Sequence, residues 1–398
     1  MSALDESPAV RSTRTRAGQE RSASVRSRPA KPEASAETAA EPAGPAEHSE
    51  WPAVSVVMPV LDEARHLRDA VTGVLQQDYP GELELIMALG PSGDGTDAIA
   101  AELVAEYAQV RSVANPTGAT PAALNAAVAV AVHPIVVRVD GHAVFPLDYI
   151  RTAVEVLTET GADNVGGIMA AEGITAFEQA VARAMTSRIG VGQAPYHTGG
   201  AAGPSDSVYL GVFRRDALNR VGGYDEDFLR AQDWEMNLRI RKTGGLVWFT
   251  PRLRVAYRPR GTLGGLARQY YDYGRWRRVV MRRHEGSVRL RYLAPPVAAV
   301  AVVSGSAIGI AGLATRSAGM SVGLVAPIGY ALGILAGAAI TGRGLPAAAK
   351  AQLPLVYATM HGSWAAGFLT SPRSLGAASS TSPAEDRPAA APALEARR

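Results

Sequence analysis

Two uncharged runs near the carboxyl end, Leu293 to Ala314 and Met320 to Ile340, constrain this chain more than any other feature. A helix needs about 20 consecutive apolar residues to cross the hydrocarbon layer of a bilayer, and each run has that length. Only Thr315-Arg316-Ser317-Ala318-Gly319 separates them, so the pair reads as a helical hairpin through a membrane. Both runs are rich in Gly and Ala, which lets helix backbones approach closely in lipid. A third run, Leu353 to Leu369, is interrupted by His361 and Ser363. It reads either as a third span or as a helix lying in the interface, so residues 293–370 hold two or three membrane helices.

The residues before the first run bear on the same point. From Arg252 to Arg291 there are twelve arginines against only Asp272 and Glu285. A nucleic-acid groove is one use for such a block. Its position directly ahead of a span favours a membrane footing on residues 263–292, with no nucleic-acid partner. Basic residues flanking a span mark the cytoplasmic side, and each contributes roughly 1 kcal/mol of attraction to an anionic surface. The expected location is the cell membrane, with the soluble part in the cytoplasm. The absence of cysteine excludes disulfide and zinc-thiolate scaffolds and agrees with that side. Residues 1–50 have no aromatic, five prolines, seven Lys/Arg and eight Asp/Glu. They lack the apolar centre of a signal peptide and are expected to be disordered. The Pro/Ala/Ser-rich tail, 371–398, is expected to be the same.

Between these segments strands and helices alternate. Val54 to Met58 reads as a buried strand and Glu63 to Gln77 as a helix. Leu83 to Leu89 reads as a strand, and Thr96 to Tyr107 as a helix. Thr120-Pro121 pairs a hydroxyl N-cap with a first-turn proline and opens a helix to Ala131. Ile135 to Val139 then forms a strand that delivers Asp140-Gly141-His142 at its carboxyl end. Such alternation implies an α/β fold with a mostly parallel sheet covered on both faces. In an open α/β sheet, ligands bind at the carboxyl ends of the strands. Three polar loops converge there: Pro59 to Glu63, Gly90 to Thr96, and Asp140 to His142. No G-x-G-x-x-G follows the first strand, so this is not a dinucleotide site. A carboxylate beside an imidazole suits a divalent ion holding a diphosphate.

Five segments in this order resemble glycosyltransferase family 2 enzymes, which have the GT-A fold, and within them the bacterial membrane-associated type of succinoglycan biosynthesis. They are Val56-Val57-Met58-Pro59-Val60-Leu61-Asp62-Glu63, Ser92-Gly93-Asp94-Gly95-Thr96, Asn115-Pro116 with Thr120 to Asn125, Arg138-Val139-Asp140-Gly141-His142, and Gln232-Asp233-Trp234-Glu235 running on to Gly244. The catalytic domain then spans 51–262. The resemblance implies that Pro59, Asp62, Glu63, Ser92, Asp94, Arg138 and Asp140 bind a nucleotide-sugar. Asp62 and Glu63 would also serve as first-turn helix acids, and Ser92 to Thr96 as a turn. Asp140-Gly141-His142 stands where the family has Asp-x-Asp. This makes Asp140 a ligand of Mg2+ or Mn2+ and His142 either a second ligand or a hydrogen-bonding partner of the diphosphate. The family's acidic pair before Ser92, one member of which reads uracil, is here Leu89-Gly90. A UDP-sugar remains the favoured donor.

Asp233 falls at the family's catalytic base, which takes the proton from an attacking hydroxyl. At a helix start the dipole is expected to keep it ionised, and its other use is as an N-cap. Glu235 is expected to orient a neighbour, and Arg239 and Arg241 to be structural. The run Gln269 to Trp276 is close to the Gln-x-x-Arg-Trp of processive relatives but differs in spacing, and its aromatic residues read equally as interfacial anchors. The function expected is inverting transfer of one sugar to a hydroxyl of a polyprenyl-diphosphate-linked saccharide, in cell-surface or extracellular polysaccharide synthesis. Two other readings stay open: a non-catalytic nucleotide-sugar-binding assembly subunit and a membrane-bound nucleotidyltransferase.

Overall fold

The structure, a computed structural model, describes residues 51–376. Residues 1–50 and 377–398, where the two tail expectations fall, lie outside the described residues. The chain begins with β1 (Val54–Val60), α1 (Leu67–Leu75), β2 (Leu83–Leu89), α2 (Thr96–Glu106), β3 (Val110–Ala114) and α3 (Thr120–Val130). Then come β4 (Ile135–Arg138), α4 (Tyr149–Thr160), β5 (Asn164–Ala171), α5 (Ala176–Met185), α6 (Arg188–Val191) and α7 (Pro195–Thr198). The strands β6 (Gly203–Pro204), β7 (Tyr209–Arg214) and β8 (Val247–Tyr257) complete the sheet around α8 (Arg215–Val221) and α9 (Gln232–Lys242). The rest is helical: α10 (Leu263–Arg283), α11 (Leu290–Ala314), α12 (Ala318–Ser321), α13 (Val325–Thr341) and α14 (Ala347–Thr370).

The eight strands lie in the order β3-β2-β1-β4-β7-β5-β8-β6. The first four are parallel, β7 runs antiparallel to both β4 and β5, and β5 and β8 are parallel. The expected mostly parallel sheet is therefore present, with antiparallel insertions. Its strands read as continuous apolar runs because both faces are covered. Val56, Met58 and Leu85 pack with Leu67, Val71 and Ile150 on one face. Val57, Ile86 and Val136 pack with Leu124, Met236 and Ile240 on the other. Because β1 has β2 on one side and β4 on the other, the loops leaving β1 and β4 part at a topological switch point. That opens the crevice of the site.

Two helix starts differ from expectation. The first helix begins at Leu67, not Glu63: Asp62 sits at φ +53°, and the backbone N–H groups of Asp62, Glu63 and Ala64 tie this segment to the side chains of Ser92, Thr96 and Asp94 as a loop. Thr120 does not cap α3: Ala119 is the N-cap and makes no side-chain bond. Pro121 still fits, because a first-turn residue has no intrahelical acceptor for its N–H.

Two segments among the described residues are long and apolar enough to cross a membrane: α11, with 25 residues and mean hydropathy 2.1, and Ala318–Thr341, with 24 residues and mean hydropathy 1.9. Their large side chains face outward, as Val303 (71% exposed) and Val325 (68%) show. α14 does otherwise. It buries Leu353, Val356, Tyr357 and Met360 against α5 and α10. It crosses α10 at two glycines: a Cβ on Gly274 would lie 2.0 Å from the Trp364 carbonyl oxygen, and one on Gly367 1.9 Å from that of Tyr271. Tyr270 and Trp276 of α10 are buried within the protein (5% each), so they are core residues and not interfacial anchors. Ser371 to Gly376, assigned above to the tail, instead turn back onto α10. Arg282 donates to the carbonyls of Ser371 (3.1 Å) and Pro372 (2.9 Å), and Arg283 to that of Gly376 (2.8 Å).

Candidate active site

Arg138 ends β4 pointing into the crevice, with its side chain only 7% exposed. Its Nε and Nη2 donate to Oδ1 of Asp140 at 3.2 and 3.1 Å. Its Nη1 pairs with Oδ1 of Asp233, 95 residues away. One guanidinium thus joins the two carboxylates singled out for metal binding and proton transfer. Asp140 lies in the turn closed by the Ala143 N–H on the Asp140 carbonyl (2.9 Å). Asp233 lies in the first turn of α9, after Ala231, whose φ is +61°. Its side chain makes no cap, since the carboxylate is turned to Arg138.

The expectation that the helix dipole keeps Asp233 ionised is reversed in direction. Although 40% exposed at the mouth of the crevice, its carboxyl is desolvated by the surrounding protein, which pushes the pKa up. The Arg138 charge opposes this, and the nearby Asp140 charge adds to it. An aspartate raised in this way is a better proton acceptor, because base strength grows with pKa as long as the group remains ionised at working pH.

Glu63 and His142 form the second pair. Nδ1 of His142 lies 2.7 Å from Oε1 of Glu63, and that bond raises the imidazole pKa first, with the charges of Glu63 and Asp140 adding to it. His142 is 62% exposed, so solvent screens much of this. Asp62 adopts φ +53° and accepts from the Gly93 N–H at 2.8 Å. Its own N–H donates to Oγ of Ser92 at 3.1 Å, while Oδ2 of Asp94 accepts from Ala64 at 3.1 Å. Ser92 and Asp94 thus clasp the β1 loop to the β2 loop with their side chains. Pro59 lies within β1 opposite Ala88. At Leu89-Gly90 there is no carboxylate. Gly90 backs onto the Leu61 side chain and Gly118, and a cavity of about 400 Å³ opens beyond it, lined by Gly90, Pro91, Asp97, Ser112 and Pro116.

Sequence reasoning missed the loop between α8 and α9. Tyr224 lies beside Arg138 and Asp233; burial pushes its phenol up, and its hydroxyl is buried without a partner among the described residues. Asn125 holds that loop: its Oδ1 accepts from the Tyr224 N–H (2.8 Å), and its Nδ2 donates to the Tyr224 carbonyl (2.8 Å) and to Glu226 (2.9 Å). The signal was the polar Asn125 on an otherwise apolar α3. Glu235, fully buried, accepts two 2.7 Å bonds from Arg239, so it does orient a neighbour.

Among the described residues no three carboxylates or imidazoles converge into a metal cage. Asp140 gives one oxygen to Arg138 and leaves the other without a protein partner among the described residues. That open, oxygen-rich arrangement suits Mg2+ or Mn2+, which in phosphate sites take one or two protein carboxylates and complete their shell from substrate phosphate and water.

Comparison with known proteins bears on the family and the fold. The model of the family described as "Glycosyl transferase family 2" matches residues 55–222. The chain is similar to the succinoglycan biosynthesis protein ExoA of Rhizobium meliloti (strain 1021), at 34% identity over 60% of this chain and 73% of that protein. It is also similar, at 22% identity over 58% of this chain and 74% of the relative, to a Methanococcus voltae enzyme. That enzyme's name is dolichyl N-acetyl-alpha-D-glucosaminyl phosphate 3-beta-D-2,3-diacetamido-2,3-dideoxy-beta-D-glucuronosyltransferase. Among solved structures it is similar in fold to the mannosyltransferase PcManGT of Pyrobaculum calidifontis, in complex with GDP-Man and Mn2+. The TM-score is 0.53 at 19% identity, covering 81% of this chain and 88% of that one.

Proposed function

This chain belongs to glycosyltransferase family 2 and has the GT-A fold, and from that premise we propose that it transfers one sugar, with inversion, from a nucleotide-sugar to a hydroxyl of a lipid-linked saccharide. The observation that carries the reading is the Arg138 bridge, which sets Asp140 and Asp233 side by side at the switch point of the sheet. In a single displacement the acceptor oxygen attacks the anomeric carbon as the diphosphate leaves from the opposite side. Asp233 accepts the hydroxyl proton. Arg138 keeps that carboxylate aimed into the crevice and lends positive charge to the region where the leaving group gains negative charge. Asp62, Glu63 and the clasp made by Ser92 and Asp94 shape the nucleoside end of the crevice, with Pro59 beneath them. A divalent ion, Mg2+ or Mn2+, held by Asp140 with His142 beside it, would supply charge neutralisation at the diphosphate. UDP is the proposed nucleotide.

The lipid-linked acceptor is supported by the two apolar segments and by the dolichyl N-acetylglucosaminyl phosphate in the name of the Methanococcus relative. The name of the Rhizobium relative supports a role in polysaccharide synthesis. We place the protein in the cell membrane with its crevice on the cytoplasmic side, where nucleotide-sugars are made. Membranes bearing the full chain, given lipid extract, Mn2+ and UDP-, GDP- or TDP-sugars, should incorporate label from one donor. Incorporation unaffected by Asp233→Asn would remove the base assignment. Donor binding without transfer from any donor would turn the reading to a non-catalytic assembly subunit.

A further inference from the structure

A second charged region lies where α11 leaves the soluble body. Asp206 is approached there by three arginines: Arg241 at 3.5 Å, Arg289 at 3.4 Å and Arg291 at 3.2 Å. None of these contacts is short, and one carboxylate cannot neutralise three guanidiniums. Arg277 adds a fourth. Its guanidinium carbon lies 4.2 Å from the ring centre of Trp234 and 4.4 Å from that of Tyr292. Its Nη1 is buried with no hydrogen-bond partner among the described residues. Four cations against one anion leave three positive charges in one place. A buried N–H of a half-buried guanidinium is unfavourable while it lacks an acceptor, and a ligand oxygen would supply one.

The position matters as much as the charge. Arg289 is the N-cap of α11, and Arg291 and Tyr292 lie in its first turn, so the cluster sits at the root of the first apolar segment. Trp234, which forms one wall under Arg277, is the residue after Asp233. Through Trp234 and Tyr292, Arg277 thus links the first turn of α9, which carries Asp233, to the first turn of α11. Burial lowers the Arg277 pKa despite the help of Tyr292, Tyr196 and Asp206, as expected of a cation lacking a full counter-charge.

We infer that this cluster, centred on Arg277, is the subsite for the phosphate groups of the lipid-borne acceptor, holding them at the root of α11 while the saccharide reaches Asp233. Guanidinium forks match phosphate oxygens in charge and geometry, and the aromatic walls exclude the water that would compete. The inference rests on the transferase reading above and deepens it by assigning the acceptor's anionic end to named residues.

The test uses the purified full chain in detergent micelles, with EDTA present so that any metal-dependent diphosphate site is silent. Farnesyl diphosphate is the probe and farnesol the uncharged control, followed by tryptophan fluorescence. Wild type should bind the diphosphate at least tenfold more tightly than the alcohol. Arg277→Gln should weaken diphosphate binding about tenfold or more, and Arg277→Lys should recover part of it. Arg268→Gln, which removes an exposed charge from the same helix, should have no effect. Because Arg277→Gln also removes packing against Trp234 and Tyr292, Arg289→Gln is a second arm at a 55% exposed side chain, with a severalfold loss expected. Equal binding of diphosphate and alcohol would overturn the inference. So would equal losses in Arg268→Gln and Arg277→Gln, which would assign the arginines to general attraction for anionic surfaces. Transfer failing with every donor while Arg277-dependent binding persists would remove the transferase reading and leave the phosphate subsite standing.

Discussion

The crevice and the root of α11 both collect arginines and carboxylates, and they use them in opposite ways. In the crevice one buried arginine serves two carboxylates, which leaves negative charge in excess while the side chains are held in place. At the root three arginines share Asp206 at 3.2 to 3.5 Å and a fourth has no carboxylate partner among the described residues. The first arrangement positions reacting groups. The second retains charge for something that arrives. Arginine count alone says little about role; what differs is the sign left in excess, negative in the crevice and positive at the root.

The largest expected effect breaks the crevice side. Asp233→Asn should lower transfer by about 10²- to 10⁴-fold, the range typical of a positioned general base, while donor binding measured by calorimetry stays near wild type. Next, Arg138→Gln leaves two facing carboxylates without their shared cation. A loss of about 3 kcal/mol in urea unfolding is expected, as for removing one partner of a buried pair. The same change removes the influence that lowers the Asp233 pKa. The acid limb of the pH–rate profile, already displaced upward from an ordinary aspartate, should therefore move higher still; a limb that stays put or falls would detach Asp233 from Arg138.

Salt sharpens the contrast. Raising ionic strength from about 0.05 to about 0.5 M should weaken farnesyl diphosphate binding at the root by roughly three- to tenfold, because partly exposed charges are screened. The buried Arg138 bridge should be far less affected, as read from unfolding at the two salt levels. The smallest effect comes from a pair outside both regions. Glu178 closes a capping box with Thr175 at the start of α5 and bonds Arg258 at 3.0 Å. The backbone N–H groups of Thr175 and Ile174, then Arg258, hold its carboxyl down at about 2. A depressed carboxyl adds stability that is present above its ordinary value near 4.5 and lost as pH falls toward about 2. Glu178→Gln should flatten the unfolding profile in that window and nowhere else.

Much of the fold was legible because strand and helix periodicities are local. β2 runs from Leu83 to Leu89 and α2 begins at Thr96 as read, while α3 begins at Thr120, one residue before the Pro121 start that a Thr120 cap implied. α1 starts four residues late, after a segment tied to the loop following β2 by Ser92, Asp94 and Thr96, residues that no window around Glu63 contains. β7 was not legible, since an antiparallel strand inserted between β4 and β5 leaves no mark in the strand–helix alternation. In the candidate site, Asp140 and Asp233 were named from their motifs, whereas Tyr224 was not, because its place beside Arg138 depends on Asn125 holding a loop 99 residues further on.

The sequence by itself determined what depends on residue order: two apolar stretches of spanning length, a β1 to β4 series with polar loops at the carboxyl ends, and an arginine-rich segment ahead of α11. Only the tertiary structure decided which charges meet. Arg138 and Asp233 are 95 residues apart, and their pairing exists because β4 ends and α9 begins at the same crevice. The direction of the Asp233 pKa, opposite to what its place in a helix's first turn suggested, follows for the same reason. Desolvation acts through space, and at Asp233 it outweighs the Arg138 charge that opposes it.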